Sequence, residues 1–397
     1  MNVLLITNLY PNPLEPNRGI FTSQLAEKLA GISDLRVLSP LPWFPKWEAL
    51  SRFKEWYKFA QVPDQARINN IDVIYPKYVV IPKLFGFLQS ASLYLSIVFK
   101  IARMNRQKKI DVINAQWMYP DGVAATLAAK TLGIPVVVSA LGCDINLYAS
   151  PAYPMRRRQI IKTLRDAEQS IAISTAQKEV MAGALGADAR RLSVVLNGVN
   201  QDVFTIRDRA ACVKQLSLNA ADRYILYVGR LSDEKGIITL LKAIGILHKE
   251  KLDPAVKLLV VGNGELWGEC NALVDSLGIR DRVLFKKERP YSEIPVWMGA
   301  ATLHCLPSYR EGCPNVVLEA LASGRPVIAT RVGSVPEVLN ETNGVMAEPG
   351  DETSIAAALQ KGLDTSWNEK EIRESVKDFT WLKMAERYMA IFKAAVA

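Results

Sequence analysis

The chain has 397 residues, 49% of them hydrophobic and 22% charged, which is too long for one ordinary core and too apolar for a disordered chain. Its net charge of +9 lies in the first half: residues 1–200 carry 24 Lys and Arg against 14 Asp and Glu, and the remainder carries 25 against 26. Only two histidines (His248 and His304) and five cysteines without a CxxC spacing argue against a histidine triad and structural zinc, and favour a reducing, cytoplasmic setting. Any catalysis therefore rests on Glu, Asp, Lys, Arg and backbone groups. The basic first half points to an acidic partner: anionic lipid, nucleic acid or a phosphorylated substrate.

In chain order, the amino terminus "MNVLLITNLYPNP" lacks the basic region of a signal peptide and opens on a β-type run, Val3–Thr7. Gly19 opens the first helix, "GIFTSQLAEKLA", where its backbone could approach an acceptor or a diphosphate, or serve as a helix-start glycine without a ligand. After the run Leu35–Pro40 comes Pro42–Ala60, which interleaves Trp43, Phe44, Trp47, Phe53, Trp56, Tyr57 and Phe59 with Lys46, Arg52, Lys54 and Lys58. Such mixing suits an anionic membrane interface. Ordinary core packing is the competing reading; single-stranded nucleic acid would need a motif that is missing here. Leu84–Phe99 is uncharged but shorter than the roughly 20 residues that span a bilayer, so a buried helix is expected.

The first series of strands continues with Asp72–Pro76, Asp111–Gln116, Pro135–Ala140 and Ser170–Ser174. A polar seam, Asn197–Cys212, precedes a second series: Tyr224–Gly229, Val256–Gly262, Arg282–Lys287, Ala301–Ser308 and Pro326–Thr330. Near-continuous Val/Ile/Leu runs alternating with helices predict two Rossmann-like domains with parallel sheets, covering 1–205 and 206–378. Residues 379–397 form a closing helix whose apolar residues are Phe379, Leu382, Met384, Tyr388, Ile391 and Phe392. His304 falls inside a strand and is expected to be a packed side chain.

Parallel sheets bind ligands at the carboxyl ends of their strands, and the suggestive residues of the second half lie there. Gly229 and "RLSDEKG" (Arg230–Gly236) supply a guanidinium and an ammonium able to clamp a diphosphate. Gly262 and Gly264 flank a turn that permits close approach of a ligand or makes an ordinary strand-to-helix connection. In "YREGCPNVVLEALASGRPVIAT" (Tyr309–Thr330), Glu311 and Gly312 lie on the loop, and Pro314 suits a helix start. Amides from Asn315 through Val316 to Val317 would form an anion site at that start. Glu319, one turn in, would repel a phosphate, and a vicinal diol is its better partner. A sugar, a diphosphate and a ribose in a row describe a nucleotide sugar.

These residues resemble the retaining glycosyltransferases of family four, which have the GT-B fold. The resemblance rests on "VGRLSDEKG" (Val228–Gly236), the E-x7-E motif Glu311–Glu319, "NGV" (Asn197–Val199) and "PNRGIF" (Pro16–Phe21), and spans nearly the whole chain. It implies an α/β architecture of two facing Rossmann-like domains, acceptor-binding first and donor-binding second, with the last helix crossing back onto the first. It further implies that Arg230 and Lys235 hold the diphosphate, Glu311 contacts the donor sugar and Glu319 the ribose, with no metal or other cofactor. The opening "TNLYPNPLEPNRGIF" looks most like the subgroup that assembles cell-surface polysaccharides, including teichuronic acid synthesis proteins.

The sequence departs from that pattern in the first domain. Where relatives carry a histidine in an "HG-S/T-D" loop, this chain has Leu141, with Asp144 retained; where they carry H-x-H, it has Asn114 and Gln116. A retaining transfer in which the leaving phosphate takes the acceptor's proton needs no imidazole. The expectation is a hexosyltransferase using a UDP-linked sugar and a glycan or lipid-linked acceptor, peripheral at the inner membrane face. A nucleotide-sugar epimerase of the same architecture and a non-catalytic nucleotide-sugar-binding partner are the alternatives. No G-x-G-x-x-G follows the first strand, which argues against a dinucleotide dehydrogenase.

Overall fold

The computed structural model describes residues 1–48, 52–80, 88–147 and 149–397. The chain divides into two compact units, Met1–Asn197 with Trp381–Ala397, and Gly198–Thr380. The divisions expected from sequence followed residues 205 and 378. The "NGV" segment therefore straddles the first division, with Gly198 and Val199 already in the second unit.

The first unit contains β1 (Asn2–Ile6), β2 (Asp34–Leu38), β3 (Leu41–Pro42), β4 (Gln65–Ile68), β5 (Ile71–Ile74), β6 (Lys77–Tyr78), β7 (Val112–Gln116), β8 (Val136–Ser139), β9 (Gln169–Ala172) and β10 (Leu192–Val194). Eight of them form one sheet in the order β10-β9-β8-β7-β1-β2-β5-β4, parallel except for the β4–β5 hairpin. The two-strand pair β3–β6 stands apart. Period-two alternation splits β1 between two cores: Leu4 and Ile6 pack with Ile97, Ile101 and Val138 on one face, and Val3 and Leu5 pack with Leu25 and Leu29 on the other. The closing helix, Trp381–Val396, belongs to that second core through Trp381, Met384, Tyr388 and Phe392. Leu382, expected on its apolar face, is 45% exposed, because it falls on the side of the helix away from the sheet.

The second unit contains β11 (Arg223–Val228), β12 (Val256–Val261), β13 (Val283–Lys286), β14 (Leu303–Leu306), β15 (Val327–Thr330) and β16 (Gly344–Ala347), all parallel in the order β13-β12-β11-β14-β15-β16. Each strand expected from sequence is present, with its ends trimmed or, as in β1, β2, β5, β9 and β11, beginning one residue earlier. In each sheet the chain reverses its direction of growth at one place: beside β1, between β2 and β7, and beside β11, between β12 and β14. Such switch points open a crevice at the strands' carboxyl ends.

The uncharged stretch Leu84–Phe99 is not the buried helix expected. Residues 84–87 lie outside the described residues, and the helix Gln89–Gln107 buries Leu93, Ile97, Val98, Ile101 and Met104. On its opposite face Leu95 is 62% and Phe99 78% exposed. The run contains no charge, so its two faces cannot be told apart from composition. Only the packing of the sheet-facing stripe separates them.

Candidate active site

In the second unit, the adjacent strands β11 and β14 deliver two loops to the switch point. After β11 the chain passes Gly229 and Arg230, makes a short 3-10 turn at Asp233–Lys235, and enters the helix Ile237–Lys249 through Gly236. After β14 it passes Pro307–Cys313 and enters the helix Asn315–Ala322, with Pro314 at the cap. The loops are tied together: the Tyr309 amide donates to the Glu234 carbonyl at 2.9 Å, and the Tyr309 and Thr239 hydroxyls share a 2.6 Å hydrogen bond.

This places Lys235 Nζ 2.7 Å from Glu311 Oε1, and the Ser308 hydroxyl donates to the same oxygen at 2.7 Å. The Glu311 side chain is 9% exposed and that of Lys235 28%, so the pair sits at the edge of solvent. Arg230 is exposed and makes no ion pair with an acidic side chain among the described residues. Its carbonyl accepts from the Tyr227 hydroxyl at 2.6 Å, which fixes the loop and leaves the guanidinium in water.

The loop after β12 presses on the loop after β11. Gly262 has φ 154°, and a Cβ built there would run into the Gly229 carbonyl oxygen. A Cβ on Gly264 would meet the Leu231 backbone, whose amide donates to the Asn263 carbonyl at 2.9 Å. These glycines are required by loop-to-loop packing before any ligand arrives.

Glu319 is 4% exposed and accepts from the Tyr291 hydroxyl at 2.8 Å. Burial raises its pKa to about 7, with the Tyr291 hydrogen bond acting in the opposite sense. At the start of the same helix, the Val317 amide already donates to the Pro314 carbonyl at 3.1 Å. Asn315 Nδ2 donates to the Gly198 carbonyl at 3.3 Å, binding the helix start to the segment that enters this unit; Val316 is half-buried, and the Gly312 carbonyl accepts from the Ser334 amide at 2.9 Å. His304 is fully buried in β14, and burial holds its pKa down to about 3, so it packs as a neutral ring.

In the first unit, the two polar residues of "NAQ" in β7 face inward. Asn114 is fully buried and donates to the Val137 carbonyl and the Ser139 hydroxyl, both at 3.1 Å; Gln116 donates to Asn114 Oδ1 at 2.8 Å. These amides link β7 to β8. Asp144 is also fully buried, accepting from the amides of Met118 (2.7 Å), Leu141 (3.0 Å) and Ile145 (3.1 Å), with its pKa raised by burial to about 6. It anchors the loop that carries half-buried Leu141. Gly19 takes a left-handed φ of 58°, and a Cβ there would strike the Leu9 carbonyl oxygen, so its first partner is this chain's own backbone.

One acid at this end of the sheet escaped the sequence reading. Asp121, in the turn "MYPDG" after β7, is fully buried; Oδ2 accepts from the Asn8 amide at 2.9 Å, and Oδ1 has no partner among the described residues. The available signal was a carboxylate directly following a central parallel strand, masked by its resemblance to a turn residue.

Two parallel α/β units, each with its polar residues at a switch point, define the GT-B class of glycosyltransferase fold. The family models agree unit by unit: "Glycosyltransferase Family 4" matches residues 41–203 and "Glycosyl transferases group 1" matches residues 208–379. Together they match most of both units, leaving out residues 1–40 and the closing helix, and the chain belongs to these glycosyltransferases. It is 28% identical over 368 residues to TuaC of Bacillus subtilis strain 168, a glycosyltransferase named for teichuronic acid biosynthesis, covering 91% of this chain and 89% of that one. It is 27% identical over 308 residues to N-acetyl-alpha-D-glucosaminyl L-malate synthase of Bacillus anthracis, covering 75% and 78% of the two chains. Among solved structures, sucrose-phosphate synthase of Thermosynechococcus elongatus superposes with a TM-score of 0.79 at 22% identity over 99% of this chain and 98% of that one. Anabaena HepE, solved with UDP-glucose, gives 0.73 at 20% identity over 99% and 100%. Likeness at this identity establishes the fold.

Proposed function

We propose that this glycosyltransferase moves a hexosyl group from a UDP-linked sugar, with retention at the anomeric carbon, to a lipid-linked glycan acceptor in cell-surface polysaccharide synthesis. The observation that carries the donor half is the Lys235–Glu311 pair at the second unit's switch point, beside the exposed Arg230. Lys235 is held by an acid it can exchange for a diphosphate, and Arg230 is exposed with no ion-pair partner among the described residues. The two cations would neutralise the charge that grows on the departing diphosphate, so no metal is required in this scheme. Freed of its ammonium, Glu311 would accept hydroxyls of the donor sugar, and Glu319 those of the ribose. Gly229, Gly312 and the Asn315–Val317 helix start would line the phosphates. The HepE structure with UDP-glucose and the TuaC likeness support the choices of base and pathway.

Among the described residues no helix is long and apolar enough to cross a membrane. Peripheral contact is supported by the first unit's surface. Trp43 and Trp47 are 53% and 70% exposed beside Lys46, whereas Phe44, Phe53, Trp56 and Phe59 pack on one another with ring centroids 6.3–6.5 Å apart. Residues 49–51 of this segment lie outside the described residues. Leu95 and Phe99 are also outward on the helix Gln89–Gln107, near exposed Lys100 and Arg103 in the same helix.

The test is to offer the protein UDP-, GDP- and ADP-sugars with and without membrane extract and follow nucleotide release and anomeric configuration by NMR. Nucleotide release that requires extract, with the product α- or β-configured like the donor, supports the reading. Inversion within the sugar alone would make it an epimerase. Binding without turnover would make it a non-catalytic partner, an outcome that Leu141 and the inward-facing Asn114 and Gln116 keep in play.

A further inference from the structure

The first unit's switch point, between β1 and β7, holds a buried acid that the transfer chemistry above does not use. Asp121 binds the Asn8 amide through Oδ2 at 2.9 Å. The Asn8 carbonyl in turn accepts from Arg18 Nε at 3.0 Å, and Arg18 directly precedes Gly19, the start of the first helix. The carboxyl group thus holds the Asn8 end of the segment Asn8–Gly19, the loop that β1 delivers to the crevice, and the Arg18–Asn8 bond ties the other end of that loop to the same residue. The turn presenting Asp121 begins at Trp117, which holds a φ of 95°, a conformation a non-glycine residue rarely adopts and one that marks a site whose geometry is enforced by its surroundings. The second oxygen, Oδ1, is buried and without a partner among the described residues, an arrangement costly for an ionised carboxylate.

We propose that Asp121 is a positioning residue for the acceptor: its carboxyl group sets the Asn8–Gly19 loop at the first unit's switch point, and the acceptor binds against that loop. The proposal rests on the reading that this unit takes the acceptor.

The groups around Asp121 come from every element packed on it. Arg18, from the β1 loop, favours its anion; Asp144, from the loop after β8, opposes it; the Tyr78 hydroxyl, from β6, is also near, and Arg156 stacks over Tyr119 of the same turn at 5.4 Å. Burial outweighs Arg18 and raises the pKa from 3.8 to about 8. The folded state therefore keeps a proton that the unfolded chain loses near pH 3.8, so stability falls as pH rises through this window and the full penalty is present above about pH 8.

Two variants, Asp121→Asn and Asp121→Ala, are compared with the wild type using UDP-glucose and membrane extract, with UDP binding measured separately. Asp121→Asn keeps a carbonyl oxygen for the Asn8 amide and cannot ionise. It should retain the wild-type half-saturating amount of extract at pH 7, lose any fall in activity above pH 8, and lack the wild-type decrease in melting temperature between pH 5 and 8. Asp121→Ala should need about tenfold more extract for half-saturation while its UDP affinity stays near wild type. An asparagine variant as impaired as the alanine one, or one that keeps the wild-type pH dependence, overturns the proposal. So does an alanine variant that loses UDP affinity and extract affinity together. Should the alanine variant not fold, Asp121→Ser takes its place in the extract titration with the same expected tenfold loss, and the melting comparison of wild type and Asp121→Asn reads the protonation separately. That comparison needs no turnover, so a wild type that transfers nothing contradicts the function while leaving the Asp121 result readable.

Discussion

Glu319 sits four residues inside a helix that begins at Asn315, buried against Tyr291, with a pKa lifted to about 7. Below that value it is neutral and donates its single O–H; above it the anion accepts hydrogen bonds from both hydroxyls of a diol. Nucleotide affinity should therefore rise from pH 6 to pH 8. Glu319→Gln should flatten that profile and weaken binding about tenfold at pH 8, as read by calorimetric titration. Folding responds in the opposite direction. The folded state holds a proton that the unfolded chain has lost above pH 4.5, so the wild type loses stability as pH climbs from 4.5 to about 7 and the glutamine variant is spared that loss. A nucleotide affinity that is flat in pH for the wild type would show that the ribose does not meet this acid. Much at this scale was legible in sequence. Lys235 and Glu311 were recognisable because each follows a strand of one parallel sheet, and a switch point brings such positions together. Asp121 was not, because an acid between Pro120 and Gly122 reads as turn chemistry, and its burial is a property of the packed sheet.

At the scale of elements, the site depends on loops that touch through backbone. Gly262→Ala would force a Cβ onto the Gly229 carbonyl at a φ that alanine avoids. A loss of about 2 kcal/mol or more is expected, measured by denaturant unfolding, together with weaker nucleotide binding because the Arg230 loop shifts. Gly183→Ala, where a Cβ meets nothing within 4 Å, is the control and should cost less than about 0.5 kcal/mol. The long apolar strands were readable because doubly covered parallel strands carry continuous Val/Ile/Leu runs. The strands missed are the ones that break this rule. β4 is an edge strand whose hairpin to β5 turns at Asn69 and Asn70, both with positive φ (49° and 63°), a two-residue signature that "RINNID" displays in the sequence. β10 has three residues and β16 follows a polar turn, and both are edge strands too short to show a period. Helix faces were the other failure. Leu95, Phe99 and Leu382 are apolar yet exposed, and only the position of the neighbouring sheet decides which stripe is covered.

For the whole molecule, sequence neighbours and structural units part company at the end of the chain. The last helix, Trp381–Val396, completes the first unit although it follows the second. Phe392 is fully buried there against Tyr388, with ring centroids 5.9 Å apart. Phe392→Ala should lower stability by about 3 kcal/mol or more and raise susceptibility to proteolysis of the first unit. Nucleotide binding by the second unit should be largely retained at temperatures where the variant is folded. The basic excess of residues 1–200, with Trp43, Trp47, Leu95 and Phe99 outward, predicts co-sedimentation with anionic liposomes at low salt. Indifference to such vesicles would remove the membrane from the account.

Donor binding requires that the ammonium held by Glu311 be surrendered to a diphosphate. Calorimetric titration of UDP into the wild type and into Lys235→Ala tests this most directly, with GDP and ADP as alternative bases. Saturable UDP binding by the wild type, weakened about tenfold or more in the variant, is the predicted result. Wild-type protein that binds none of the three nucleotides, or a variant that binds UDP as tightly as the wild type, would contradict it.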